Sequence, residues 1–155
     1  MHNLIVGYCF LMTEAPRLDR QVCFALYSAS RAATAVYRPV LDELGLTYPQ
    51  YLVMLVLWED EPRGVKKLGG ELGLDSGTLS PLLKRLEALG LVERRRSGED
   101  ERRVAIHLTT AGRELSVPAR AIPQRLADAA GLSHGELEQL RATLGKLTAA
   151  LHQSL

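Results

Sequence analysis

Leu74-Asp75-Ser76-Gly77-Thr78-Leu79-Ser80-Pro81-Leu82-Leu83-Lys84-Arg85-Leu86-Glu87-Ala88-Leu89-Gly90 is the stretch that decides the fold. Leu79, Leu82, Leu83, Leu86 and Leu89 share one side of a 3.6-residue period. Ser80, Pro81, Lys84 and Ala88 fall on the opposite side, with Arg85 at its margin. The spacing predicts a helix over 78–89, closed by Gly90. Just upstream, Val65-Lys66-Lys67-Leu68-Gly69-Gly70-Glu71-Leu72 reads as a shorter amphipathic helix, and residues 73–77 as a glycine-containing turn. Two short helices joined in this way form a helix-turn-helix.

Past Gly90 the period drops to two. Residues 91–96 and 103–108 read as strands, and Ser97-Gly98-Glu99-Asp100-Glu101-Arg102 between them is turn-rich and charged. A two-stranded ribbon directly behind a helix-turn-helix is a wing. On the other side, Val22, Leu26, Ala29, Ala33, Val36, Val40 and Leu44 recur at steps of three or four from Asp19 onward, interrupted only near Pro39 and stopped by Gly45. A second helix is expected from Pro49 through Leu52, Leu55 and Val56 to Trp58. Both helices read as mostly buried.

Beyond the wing, helix is expected from Thr109 or Thr110 toward Ala130, kinked or divided by Pro118 and Pro123. Ser133 then caps a helix with Glu136 at the box position. Its Leu137, Leu140, Leu144, Leu147 and Leu151 repeat every 3.5 residues on average, the seam of paired helices. The expected fold is therefore mainly α with a small β wing, a winged helix-turn-helix within one domain that pairs into a homodimer through its N- and C-terminal helices. Residues 1–18 form an N-terminal extension, disordered or ahead of the native start, because the polar run after Met12 resembles a native N-terminus. Residues 19–45 and 110–155 supply dimerisation, and 48–109 the DNA-binding region.

Composition narrows the function. The 155 residues carry 19 Lys+Arg against 18 Asp+Glu, a net charge of +1, so a polyanion could be met only by a local surface. No run approaches the roughly 18 to 20 apolar residues of a membrane span, and no secretory signal precedes a cleavage site. Cys9 and Cys23 do not resemble a disulfide framework or a zinc site, and His2, His107, His134 and His152 are scattered. A reduced, cytoplasmic location without metal or cofactor is expected. No nucleophile elbow or phosphate-cradling glycine loop supports an enzyme.

The total hides a local surface. Lys84, Arg85, Arg94, Arg95, Arg96, Arg102 and Arg103 set seven cations against the five acids Glu87, Glu93, Glu99, Asp100 and Glu101. On an exposed helix face and a ribbon they would meet phosphates on one side, although a solvated hairpin is the plainer reading. Ser76, Thr78 and Ser80 place short hydroxyls near the start of the second helix, where they either touch phosphates or cap the helix. Lys84 and Arg85 follow one turn later, within reach of guanine edges.

Cys23 is the second candidate site. It shares a helix face with Tyr27 at i,i+4, and Tyr37, fourteen positions on, returns to nearly the same azimuth. Fourteen residues at helical rise span about 21 Å, so Cys23 and Tyr37 meet only between two copies, across antiparallel first helices. Phenolic O–H groups and a helix start would stabilise a thiolate, the form that attacks a peroxide. An inert packing cysteine is the alternative.

Asp19-Arg20-Gln21-Val22-Cys23-Phe24-Ala25-Leu26-Tyr27, residues 37–51 and residues 74–87 resemble the organic hydroperoxide sensors of the MarR family of repressors. Asp100-Glu101-Arg102 leading to Leu108-Thr109 is similar to the wing signature of that family, and the likeness covers residues 19–112.

The resemblance implies a homodimeric repressor that binds a double-stranded DNA operator and releases it when an organic hydroperoxide oxidises Cys23. Tyr27, Tyr37 and Tyr48 match the tyrosines around the sensing cysteine. Arg102 would enter the minor groove at the wing tip, with Asp100 holding the wing. Because no cysteine follows Cys23, a low-molecular-weight thiol would complete the reaction as a mixed disulfide, in preference to Cys9. The competing functions are a MarR-like regulator answering a small aromatic ligand, with Cys23 structural, and a thiol peroxidase using Cys23 directly.

Overall fold

In the computed structural model the described residues are 17–96 and 104–154. They fall into two units, residues 1–35 and residues 36–155. The first unit holds a 3-10 turn, Leu18–Arg20, and the leading part of helix α1, Val22–Glu43. The second holds the rest of α1 and, in chain order, α2 (Tyr48–Glu59), β1 (Arg63–Gly64), α3 (Val65–Leu72), α4 (Ser76–Ala88), β2 (Val92–Arg96), β3 (Val104–Leu108), α5 (Thr110–Glu114), α6 (Ser116–Ala119), α7 (Ile122–Ala130) and α8 (His134–His152).

Local chemistry sets most of these boundaries. The Gln50 side chain accepts from the Thr47 N–H at 2.8 Å and from its hydroxyl at 3.0 Å, fixing the start of α2 beside Pro49. Gly73 ends α3 at φ +63°, a left-handed conformation that costs a side-chain-bearing residue dearly. Asp75 opens α4, its carboxylate accepting from the Thr78 N–H at 2.8 Å. Ser133 and Glu136 form the expected reciprocal box at α8.

The two ribbon strands pair antiparallel from Val92↔Leu108 to Arg96↔Val104, as the alternating pattern predicts. A third strand was hidden from that pattern. Arg63 and Gly64 pair with Ile106 and Ala105, giving the order β1-β3-β2. Two residues are too few to show a period, and Gly64 carries no side chain to alternate.

The core lies where α2, α3, α4 and the sheet meet. Met54, Leu68, Leu83, Leu86 and Ile106 are buried there, and Ile122 of α7 joins the same cluster. Trp58 Nε1 donates to the Gly112 carbonyl at 2.8 Å, tying α2 to α5. A Cβ at Gly112 would stand 2.0 Å from the Leu91 carbonyl oxygen, so this crossing admits only glycine.

Several expectations need correction. Helix α1 begins at Val22 rather than Asp19, and it runs through Pro39 instead of breaking there. It is also not mostly buried: Val22 is 64% exposed and Tyr27 57%, and Leu41 is its one buried residue. Helix α4 begins at Ser76, not Thr78, because Asp75 outcompetes both hydroxyls as the cap. Leu89 leaves the buried stripe at 52% exposure, since it lies past the last helical residue, where the azimuth no longer follows the helix. The stretch over 110–130 is divided into three helices, with the breaks near Leu115 and Arg120-Ala121 rather than at the prolines themselves.

Candidate functional site

The exposed side of the helix-turn-helix carries the predicted reading residues. Ser76, Thr78, Ser80, Lys84 and Arg85 are all exposed on α4, while Leu79, Leu83 and Leu86 hold the opposite side in the core. Thr78 is committed locally: its N–H and its hydroxyl both donate to Asp75, at 2.8 and 3.2 Å. These two bonds hold the Asp75 carboxyl below the usual carboxylate range. Lys84 and Arg85 make no ion pair among the described residues.

The wing arginines behave differently from the helix cations. Arg94 on β2 donates to the Ser80 carbonyl at 3.3 Å and pairs with Glu87 at 3.5 Å, bracing the ribbon against α4. Arg95 pairs with Glu93 on its own strand. Arg96 ends β2, while Asp100, Arg102 and Arg103 lie outside the described residues. Cys9 lies outside them as well.

In the first unit, Cys23 is the second residue of α1, an exposed free thiol. One turn on, the Tyr27 hydroxyl accepts from Arg31 at 2.9 Å, and the Arg31 guanidinium sits 5.5 Å from the Tyr27 ring centre. Phe24 is 39% exposed. No side chain among the described residues pairs with the thiol.

The second unit contains the other tyrosines. Tyr37 and Tyr48 stack, with ring centres 5.6 Å apart and planes 12° apart. Tyr51, which sequence reasoning did not count among the site residues, tilts against both at 6.4 Å and meets Trp58 edge-on at 6.2 Å. The i,i+3 spacing from Tyr48 on α2 was the available signal for it. Burial pushes the Tyr37 and Tyr51 hydroxyls above the ordinary phenol range.

Tyr51 and Trp58 also border a cavity of about 650 Å³ that Arg113 and Arg120 help to line. At its edge Glu61 joins three elements: its carboxylate accepts from the Leu108 N–H and from Arg113 Nε, the latter at 2.6 Å. No cluster of side chains able to hold a metal ion occurs among the described residues. No helix among them is long and apolar enough to cross a membrane.

Known proteins resemble this arrangement closely. The family described as "Transcriptional regulator SarA/Rot" matches residues 35–117. The organic hydroperoxide resistance transcriptional regulator of Bacillus subtilis is 50% identical over 137 residues, covering 88% of this chain and 93% of its own. Reduced AbfR bound to DNA superposes with a TM-score of 0.71 at 36% identity, covering 87% of this chain and 94% of that one. Overoxidized AbfR bound to DNA gives 0.65 at 39% identity, over 84% and 96%. These relatives regulate transcription rather than catalyse reactions, and the winged helix expected from residues 65–108 is their common fold. The chain belongs to the SarA/Rot type of MarR-like winged-helix transcriptional regulators.

Proposed function

We propose that this protein is a DNA-binding repressor that senses organic hydroperoxides through Cys23. The observation that carries the reading is the exposed free thiol at the start of α1, in a chain half identical to an organic hydroperoxide resistance regulator. The Cys23 thiolate attacks the terminal peroxide oxygen, an S–O bond forms and the O–O bond breaks. Sulfur gives up two electrons, the peroxide leaves as an alcohol after taking a proton, and Cys23 is left as a sulfenic acid. A low-molecular-weight thiol then displaces water from that sulfenic acid to give a mixed disulfide.

DNA is met by α4 through Ser76, Ser80, Lys84 and Arg85, with Thr78 serving α4 itself. Arg94, Arg95, Arg96, Asp100 and Arg102 belong to the wing side of the same interface. The working form is a homodimer. Val22 and Phe24 on α1, and Leu140, Leu144 and Leu151 on α8 at 36–53% exposure, are apolar residues that a second copy would cover. In that dimer Tyr37 of one copy faces Cys23 of the other, a placement supported by their separation along α1, and Tyr48 stacks on Tyr37 beside it. Modification of Cys23 at this seam shifts the two reading heads relative to each other.

The test is a mobility shift with cumene hydroperoxide on native protein and on Cys23→Ser. Native protein should release its operator and regain it with a thiol reductant, while Cys23→Ser stays bound. Equal release of both proteins would overturn the sensing role. It would favour the second reading, a small aromatic ligand in the cavity beside Tyr51 and Trp58, which is supported by its aromatic lining.

A further inference from the structure

We propose that Tyr37 and Tyr48 form a second oxidation site, at which organic alkoxyl radicals couple the two rings into a dityrosine within one chain. The stack supplies the geometry. Its ring centres lie 5.6 Å apart with planes 12° from parallel, an offset arrangement in which the edge of one ring overlies the other. Both residues are half-buried, so a small radical can reach each of them. Tyr51 is 3% exposed and tilted by 57° and 45° from the pair, and Tyr27, although exposed, has no aromatic ring against it among the described residues. Among the described tyrosines, only Tyr37 and Tyr48 combine access with a near-parallel neighbour.

The oxidant is the alkoxyl radical that ferrous iron makes from an organic hydroperoxide, by giving it one electron and releasing hydroxide. Each of two such radicals takes the phenolic hydrogen atom of one tyrosine and leaves as an alcohol. The unpaired electron of a tyrosyl radical is shared with the ring carbons beside the oxygen. Two of these carbons, one from each ring, join in a C–C bond, and each then passes its hydrogen to its own oxygen to restore a phenol. In sum the two tyrosines lose one hydrogen atom each and two alkoxyl radicals become two alcohols. Burial holds the Tyr37 hydroxyl above the ordinary phenol range, so at neutral pH it is protonated and has a hydrogen atom to give.

The fold makes this coupling an intramolecular event. Free tyrosyl radicals must find each other by diffusion, whereas rings held in contact need only a local rearrangement. The torsion that turns a tyrosine ring is broad and two-fold, so either carbon beside the oxygen can be presented to the neighbour. Tyr37 stands on α1 and Tyr48 is the first residue of α2, so the bond ties the two helices together across their connecting turn. A thiol reduces a disulfide but not a C–C bond. Exposure to radicals would therefore leave a mark on the chain that the reductant restoring Cys23 does not erase, and its formation does not depend on Cys23.

The test treats the full chain with cumene hydroperoxide and a ferrous salt, and isolates the fraction that runs as single chains on a denaturing gel. Cleavage after Glu43 and Glu59 separates Tyr37 from Tyr48 unless a bond joins them. Native protein and Cys23→Ser should both yield the joined peptides, lighter than their sum by the two hydrogen atoms and with the blue fluorescence of dityrosine. Tyr37→Phe and Tyr48→Phe, which keep a ring in the stack, should lose the product, while Tyr27→Phe and Tyr51→Phe should retain it. No joined peptide in native protein, in a mixture that does couple N-acetyltyrosine amide, would overturn the proposal. An undiminished yield in Tyr37→Phe or Tyr48→Phe, with circular dichroism unaltered, would do the same, and loss in Tyr51→Phe alone would move the bond to Tyr51 and refute the pairing. Formation with hydroperoxide and a metal chelator would refute the radical route, and absence from Cys23→Ser would refute independence of the thiol.

Discussion

Helices α4 and α8 carry leucines at nearly the same spacing, yet they end in opposite environments. Leu79, Leu83 and Leu86 of α4 are at most 1% exposed, covered by α2, α3 and the sheet. On α8, Leu140, Leu144 and Leu151 are 47%, 36% and 53% exposed, and none of its residues is buried. An apolar stripe records that a face will be covered; it does not record by what. In α4 the chain folds onto its own stripe, whereas the described residues leave that of α8 uncovered, which is why a second copy enters the proposed function.

The sharpest way to break this comparison is to cut into the covered stripe. Leu86→Ala should lower unfolding free energy by about 2–5 kcal/mol in urea titrations, and a loss under about 1 kcal/mol would show that α4 is not closed by its own chain. Next in size is a pair of glycines. Gly112→Ala forces a methyl group against the Leu91 carbonyl and should cost about 1–3 kcal/mol, while Gly145→Ala on α8 has open space and should gain up to about 1 kcal/mol from helix propensity. Similar losses in both would erase the difference between a packed and an open helix.

A smaller effect is expected from alkaline pH. The Tyr37 and Tyr51 hydroxyls titrate above the ordinary value near 10 because burial disfavours the phenolate. Their contribution is fully present below about pH 10. Above it the unfolded chain ionises first, so stability falls until the raised native values are passed. Tyr51→Phe should make that decline shallower, as followed by thermal melts at increasing pH; an unchanged decline would place its cause elsewhere.

The smallest change in the stability of the dilute chain, within about 0.5 kcal/mol, is expected for Leu140→Glu/Leu144→Glu, since exposed positions rarely contribute more. Its signature is different in kind. Native protein should melt at a temperature that rises with concentration, and the double variant should lose that dependence and sediment at half the mass. A native melting point independent of concentration would contradict the dimer.

The core elements were legible from sequence because each carries a full period of its pattern. Helix α3, the stripe of α4 apart from Leu89, the two ribbon strands and the Ser133–Glu136 box are where local spacing puts them. What escaped was settled by partners distant in the chain. Strand β1 is only two residues long and exists because Ile106 and Ala105 are there to pair with it. Asp75 took the cap from Ser76 and Thr78, a contest that depends on backbone angles at one residue. Tyr51 joins Tyr37 only when α2 packs beside the end of α1. The site was legible as residue types: a thiol one turn before a tyrosine, and cations behind a helix-turn-helix. Which cations were already spent on Glu87, Glu93 or Glu61 was not, because charge pairing depends on which side chains folding brings within about 4 Å.

Arg94 has a geometric consequence of its own. By fastening β2 to the Ser80 carbonyl and to Glu87, it makes the ribbon and α4 the two jaws of a caliper set to one opening. In a dimer of the kind proposed, the spacing between the two heads is then the quantity left to change. B-form DNA offers that distance only in multiples of about 34–36 Å along one side. Under the proposed mechanism, an operator lengthened by half a turn should then be refused by the reduced protein.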